Sequence, residues 1–338
     1  MKAAPFVSAN FLERVADPGS PLHLDYLAYR DGRITRAELV RRLPHVAMIG
    51  DSVCLDIYIS SPWNTFWRAR TCRGKNWFLH LDDAPCVCSV SKSLEAITPF
   101  VAIEFAGIGA LVDHEHGRPN LSRRILGTRN FSGQINELVR ARRFPDLTLI
   151  SIGHNNVDWA WRCPTHELHT PDQRLQRLSR ELRENYAREL RRLLERAHVQ
   201  KHRVAIVVYG LINFGSYFEG REAAERLKQS DTTLYRHLET TYKHFVSFHP
   251  TYRHDLIRLA SMVNQELFKM VETFNCEVLQ YDEHIQLRYS DALATANLNR
   301  AELLHPIDGW HASLQGHNVL GEAAFNDLRP SLDFLDIR

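Results

Sequence analysis

The sequence predicts an α/β fold in which a mostly parallel sheet is covered by helices on both faces. Short runs of four to six mainly apolar residues recur along the chain, and such runs are typical of strands buried on both sides. Segments with helical periodicity lie between or after them, and this alternation implies right-handed parallel crossovers. The predicted strands are His45–Ile49, Val101–Phe105, Leu147–Ile152, Val204–Tyr209 and Cys276–Leu279.

Three segments carry the helical pattern. In Gln173–His198 and in Leu256–Phe274, the apolar residues recur three or four positions apart, which puts them on one face of a helix. A last helix is predicted from Ser313 to about Leu328. Residues 1–44 fit the alternation poorly, and we interpret them as an N-terminal extension packed on a main domain of residues 45–338. An insertion at about 213–255, rich in His, Tyr and Phe, is predicted to form a lid or pocket wall.

The composition argues against several classes of protein. The 42 Lys and Arg residues nearly balance the 40 Asp and Glu residues, which disfavours a dedicated nucleic-acid or membrane-surface protein. The six cysteines are scattered, so we expect no disulfide framework. The sequence has neither a signal-like N-terminal run nor an apolar run of about 18 residues, so it predicts a cytoplasmic protein with no membrane span.

Candidate chemistry follows the first predicted strand, in Gly50-Asp51-Ser52. A serine at the carboxyl end of a strand and the start of a helix lies where open α/β sheets bind ligands. A second candidate is Asp308-Gly309-Trp310-His311, just before the last helix. Its carboxylate is spaced to orient the imidazole, which then accepts a serine proton. Taken separately, each motif also fits an ordinary turn or helix cap.

Two further turns follow predicted strands. Gly153-His154-Asn155-Asn156 offers the uncharged amide of Asn155, which suits an oxyanion hole. Ala106-Gly107-Ile108-Gly109-Ala110 offers glycines whose backbone N–H groups can closely approach a substrate. Turn-forming tendency alone also explains Asn and Gly at these positions.

In this order, the four motifs resemble the signature blocks of the SGNH/GDSL hydrolase family, and the resemblance spans position 45 to about 325. It implies a three-layer α/β/α sandwich of flavodoxin-like appearance. It also implies a serine esterase with Ser52 as nucleophile, His311 as base and Asp308 as the orienting acid. The oxyanion hole would consist of Ser52 N–H, Asn155 and Gly109 N–H, with Gly107 as the alternative to Gly109.

The resemblance implies a small-molecule ester substrate, such as an acetylated sugar or a small acyl ester, and neither a metal nor an organic cofactor. The chain departs from the family pattern at Val53, where leucine is common, and at Asn156, where an acid is common. The alternatives are a lysophospholipase, thioesterase or acyltransferase on the same site, or a non-catalytic binding protein on a retired hydrolase fold. The His-rich segments 114–116 and 166–169 lack the spacing of a helical metal site and are predicted to be polar loops.

Overall fold

The computed structural model of the chain describes residues 5–55, 75–80, 88–112, 130–159, 171–230, 250–280, 282–306 and 309–337. Six strands of these residues form one sheet. They are β1 (Phe6–Val7), β2 (His45–Gly50), β3 (Val101–Glu104), β4 (Leu147–Ser151), β5 (Val204–Tyr209) and β6 (Ile285–Ser290). This sheet and its helices confirm the predicted α/β class.

The strand order across the sheet is β1-β3-β2-β4-β5-β6, and every neighbouring pair is parallel except β1 with β3. Strands β2, β4 and β5 are buried at every position, which requires cover on both faces of the sheet. The chain crosses from β2 to β3 on one side and then returns to place β4 on the other. The direction of winding therefore reverses between β2 and β4, and open α/β sheets bind ligands beyond the carboxyl ends of strands at such a point.

Helices α4 (Val90–Ile97), α5 (Phe131–Val139), α6 (His154–Trp159), α7 (Pro171–His198), α8 (Phe214–Gln229) and α9 (Pro250–Glu277) occupy the segments between or beside the parallel strands. After β6 come α10 (Ala292–Thr295), α11 (Leu314–Asn326) and α12 (Arg329–Phe334). Helix α7 packs against α5 and α9, whereas α11 packs against α4 and α10. None of the described helices is long and apolar enough to cross a lipid bilayer.

The chain before the first parallel strand forms α1 (Phe11–Ala16), α2 (His23–Arg30) and α3 (Arg36–Arg42). Phe11, Val15, Leu39 and Leu43 form a small buried cluster with Val101 of β3. Residues 5–44 thus pack along the β3 side of the sheet. Within the predicted insertion, α8 covers part of the segment and residues 231–249 lie outside the described range, so its role as a lid stays a prediction.

Four of the five predicted strands are confirmed within one residue at each end. The fifth, Cys276–Leu279, is wrong, because α9 continues to Glu277 and the exposed side chains there do not face a sheet. The true fifth parallel strand is β6, in which buried residues are interspersed with partly exposed Gln286 and Arg288. A search for continuous apolar runs does not detect such a strand at the outer edge of a sheet. The helices predicted at Gln173–His198, Leu256–Phe274 and Ser313–Leu328 are confirmed, with Ser313 as the N-cap of α11.

Candidate active site

Ser52 lies at the carboxyl end of β2, at the start of a short 3₁₀ helix, Ser52–Cys54, and is 4% exposed. Asp51 caps this turn, since its Oδ1 accepts a hydrogen bond of 3.0 Å from the N–H of Val53. Only glycine fits at position 50, because an added Cβ would lie 2.5 Å from Cys54 Sγ and 2.8 Å from the carbonyl oxygen of Ser151. The turn that presents Ser52 is therefore fixed by close packing on its neighbouring strand.

Asn155 lies in the turn after β4 and is 6% exposed. Its Nδ2 donates a hydrogen bond of 3.1 Å to the carbonyl oxygen of Ala110. That carbonyl directly follows Gly109, whose φ of 66° lies in the left-handed region that favours glycine. The structure therefore brings the turns that carry Asn155 and Gly109 together.

The next residue, Asn156, braces the same loop. Its Oδ1 accepts a hydrogen bond of 2.9 Å from the N–H of Val112. An amide at this position thus supports the loop after β3 without the carboxylate that the family pattern commonly has there. The N–H of Gly107 already has a partner within the protein, because it donates a hydrogen bond of 3.1 Å to the carbonyl oxygen of Gly50.

His311 lies just before α11 and is 4% exposed. Its carbonyl oxygen accepts a 2.8 Å hydrogen bond from the N–H of His305, and Ala312 forms an antiparallel bridge with Leu304. Tyr217 Oη donates a 2.7 Å hydrogen bond to the carbonyl oxygen of Gly309. The segment around His311 is thus held on both sides. Asp308, its predicted partner, lies outside the described residues.

Two aromatic residues connect the His311 segment to the other turns. Trp77 Nε1 donates a 3.1 Å hydrogen bond to the carbonyl oxygen of Val53, and Trp77 N–H donates one of 3.2 Å to Nδ1 of His317 on α11. Phe214 stacks on the ring of His154 at 6.5 Å and meets the ring of Trp310 edge-on at 6.1 Å. One edge of the sheet therefore holds both the three turns and the His311 segment. The three turns are those that carry Ser52, Asn155 and Gly109.

A buried pair at this edge was not identified from the sequence. The Asp51 side chain is fully buried, and its Oδ2 lies 2.9 Å from Nδ1 of His154, which is also buried. The same oxygen accepts backbone hydrogen bonds of 3.1 Å from Gly153 and from His154. One signal was present in the sequence, since a carboxylate directly after a buried, mainly apolar strand must find N–H donors inside the protein.

Two buried groups near the site, Cys54 and His317, have shifted pKa values. Burial, and secondarily the charge of Asp51, raises the pKa of the Cys54 thiol well above its usual value. Burial also lowers the pKa of His317 to about 3, with smaller contributions from His311 and His305. His317 is therefore neutral in the folded protein at physiological pH, which agrees with its Nδ1 accepting the Trp77 hydrogen bond.

We expect the free energy of unfolding to fall as the pH decreases from about 6.5 towards 3, because unfolded His317 then takes up a proton that the folded protein excludes. One such group changes this free energy by at most about 1.4 kcal/mol per pH unit. His317→Asn keeps an acceptor for the Trp77 N–H but does not titrate, so its stability should vary less steeply over this range. Urea unfolding at several pH values measures both slopes, and equal slopes would contradict the assignment.

No family model matches the chain, and no curated protein matches its sequence. Among solved structures, the lipase Lip_vut3 from a goat rumen metagenome is 16% identical over 85% of this chain and 97% of its own, with a TM-score of 0.42. A putative arylesterase from Agrobacterium tumefaciens is 14% identical over 86% of this chain and 100% of its own, with a TM-score of 0.39.

A mutant acetyl esterase, crystallised with an acetate ion, is 12% identical over 88% of this chain and 100% of its own, again with a TM-score of 0.39. At identities of 12–16% and TM-scores of 0.39–0.42, these similarities assign neither a family nor an activity to this chain.

Proposed function

We propose that the chain is a serine esterase of the SGNH type that hydrolyses small carboxylic esters through an acyl-enzyme intermediate. The observation that carries the proposal is the hydrogen bond from Asn155 Nδ2 to the carbonyl oxygen of Ala110, the residue after Gly109. The turn that carries Asn155 is connected to the turn of Ser52, because Gly153 N–H donates a hydrogen bond to Asp51. The turns of Ser52, Gly109 and Asn155 thus lie near the point where the strand order reverses. Open α/β sheets bind their ligands at such a point, which supports the proposal. The order of the five parallel strands agrees with the flavodoxin-like sandwich of that family.

In the proposed reaction, His311 accepts the proton of Ser52 Oγ while that oxygen attacks the ester carbonyl carbon. The carbonyl oxygen gains the negative charge. As the tetrahedral intermediate collapses, the bond to the alcohol oxygen breaks and His311 returns the proton to the leaving alcohol. Water, deprotonated by the same imidazole, then attacks the acyl-enzyme and releases the acid. Asp308 would orient the imidazole.

The oxyanion would be held by the N–H of Ser52, the N–H of Gly109 and Nδ2 of Asn155. Between the two glycines of the second block, the contacts favour Gly109, because the N–H of Gly107 is already donated to the carbonyl oxygen of Gly50. Asn155 has two amide hydrogens, so one remains for the substrate after the other is donated to Ala110. The hydrogen bond to Ala110 fixes the orientation of the amide and so the direction of its second N–H. An oxyanion hole needs donors that are oriented in advance in this way.

A fluorophosphonate probe tests the proposal, because only an activated serine reacts with it. We expect one adduct per chain, located on the peptide that contains Ser52 by mass spectrometry. Labelling should be absent in a His311→Ala variant, which keeps the serine but loses the base. An unlabelled wild-type protein would support the non-catalytic alternative. Turnover of p-nitrophenyl acetate with and without added alcohols would then distinguish hydrolysis from acyl transfer.

A further inference from the structure

We propose that Asp51 and His154 are positioning residues that hold two oxyanion donors, the Ser52 N–H and the Asn155 side chain, in fixed relation to each other. The inference rests on the proposed esterase function. It assigns a task to a buried pair that neither supplies a proton nor attacks the substrate. Its basis is a set of hydrogen bonds that converge on one carboxylate between two strands.

The carboxylate of Asp51 joins two turns. Its Oδ1 accepts from the N–H of Val53, one residue after the nucleophile, and its Oδ2 accepts from the N–H groups of Gly153 and His154, immediately before Asn155. The strands that lead into these turns are hydrogen-bonded neighbours, and Gly50 pairs with Ser151 at their ends. Beyond that pair the strands end, and Asp51 continues the connection between the two backbones.

The hydrogen bonds of His154 fix its protonation. Its Nε2 accepts a bond of 3.1 Å from the N–H of Ile212, so that nitrogen carries no hydrogen. The hydrogen of the neutral ring must then lie on Nδ1, where it is donated to Oδ2 of Asp51 at 2.9 Å. Among the described residues, Asp51 therefore accepts hydrogen bonds from three backbone N–H groups and from Nδ1 of His154.

This arrangement is costly to maintain for stability alone. A fully buried carboxylate loses its hydration, and replacing a buried polar group with apolar packing is often neutral or stabilising. The backbone N–H groups that donate hydrogen bonds to Asp51 belong to the two turns that would present the oxyanion donors. Fixing those donors before the substrate binds is the advantage that offsets the desolvation penalty.

Three variants test the inference. Asp51→Asn places an NH₂ group among four N–H donors, so at least one donor is repelled whichever way the amide is turned. We expect its kcat for p-nitrophenyl acetate to fall about 100-fold with KM changed less than about threefold, since a small misplacement of oxyanion donors acts on the transition state. A wild-type kcat in a folded Asp51→Asn protein would overturn the proposal.

The two remaining variants separate positioning from simple packing. His154→Asn keeps an N–H near the position of Nδ1 and so keeps the bond to Asp51, whereas His154→Gln keeps an acceptor near Nε2 and so keeps only the bond from Ile212. We expect kcat to fall less than about fivefold in the first and at least about tenfold further in the second, because only the second removes the side-chain hydrogen bond at position 154 to Asp51. Equal kcat values in the two variants at equal thermal stability would overturn the proposal, because they would indicate a packing role only.

Ser52→Ala in the same assay distinguishes a failure of the esterase proposal from a failure of the positioning proposal. If that variant turns over ester at the wild-type rate, the esterase proposal fails whatever the positioning variants show. If it is inactive while Asp51→Asn and His154→Gln both keep the wild-type kcat, the esterase proposal stands and the positioning role is wrong. The ³¹P NMR shift of the Ser52 phosphonate adduct gives a readout independent of turnover. We expect it to differ between the wild type and His154→Gln and to be kept in His154→Asn.

Discussion

Replacing Ser52 with alanine should abolish ester hydrolysis while leaving the free energy of unfolding within about 1 kcal/mol of the wild type. The change removes one oxygen atom from a turn whose backbone is fixed by other groups, namely Asp51, Gln134 and Cys54. Without Oγ there is no acyl-enzyme, and loss of the nucleophile of a triad lowers kcat by at least about 10³-fold. Initial rates with p-nitrophenyl acetate, together with urea unfolding, measure both quantities.

Ser151→Ala is the matched control. Ser151 is also a fully buried serine at the carboxyl end of a strand, on β4 beside β2, and its hydroxyl has no hydrogen-bond partner among the described residues. Its removal should leave kcat near the wild-type value. Wild-type turnover by Ser52→Ala would exclude Ser52 as the nucleophile, and equal losses in the two variants would indicate general damage to this edge of the sheet.

Gly321→Ala should destabilise the protein by about 3 kcal/mol and reduce activity as a consequence. Gly321 lies on α11 against the loop that precedes α4, where an added Cβ would come within 1.8 Å of the carbonyl oxygen of Cys88 and 3.1 Å of that of Trp77. Both neighbours are backbone atoms, so the helix must move away. The higher helix propensity of alanine offsets only about 1 kcal/mol.

Displacement of α11 would also weaken the hydrogen bond from Trp77 to His317 and disturb the segment that holds His311. Urea unfolding and initial rates measure the two effects. Glu322→Ala, an exposed substitution in the same helix, should leave both nearly unchanged. A Gly321→Ala protein as stable as the wild type would mean that α11 and the Cys88 backbone are less closely packed than the structure has them.

The parts of this fold that were predictable from sequence are those whose signal is local. Strands β2, β4 and β5 are buried on both faces and therefore appear as mainly apolar runs. Strand β6 has sheet neighbours on one side only, and its sequence includes Gln286 and Arg288, so its periodicity was missed. The segment Cys276–Leu279 was taken for that strand because a few apolar residues at the end of a helix look the same as a short strand.

The candidate site likewise has features that were predicted from the sequence and features that were not. Ser52, Asn155 and Gly109 were proposed from the sequence because each lies in a turn after a mainly apolar strand, and strand ends of a parallel sheet share one edge. The contacts of Asp51 with His154 and of Trp77 with His317 were not predicted, because no motif specifies which side chains bond to each other across 103 and 240 positions. Such pairings depend on how the loops pack, which one sequence alone does not encode in any periodic pattern.

The two-residue strand β1 has a consequence for the order of events during folding. Phe6 and Val7 pair with Ala102 and Val101, and Ser8 exchanges hydrogen bonds with Phe100 across 92 positions. During synthesis, Phe6 and Val7 must wait until the polypeptide has grown past residue 104 before they can pair with β3. Until then the backbone groups of Phe6 and Val7 lack their sheet partner, and an unpaired strand is open to strand addition by another molecule.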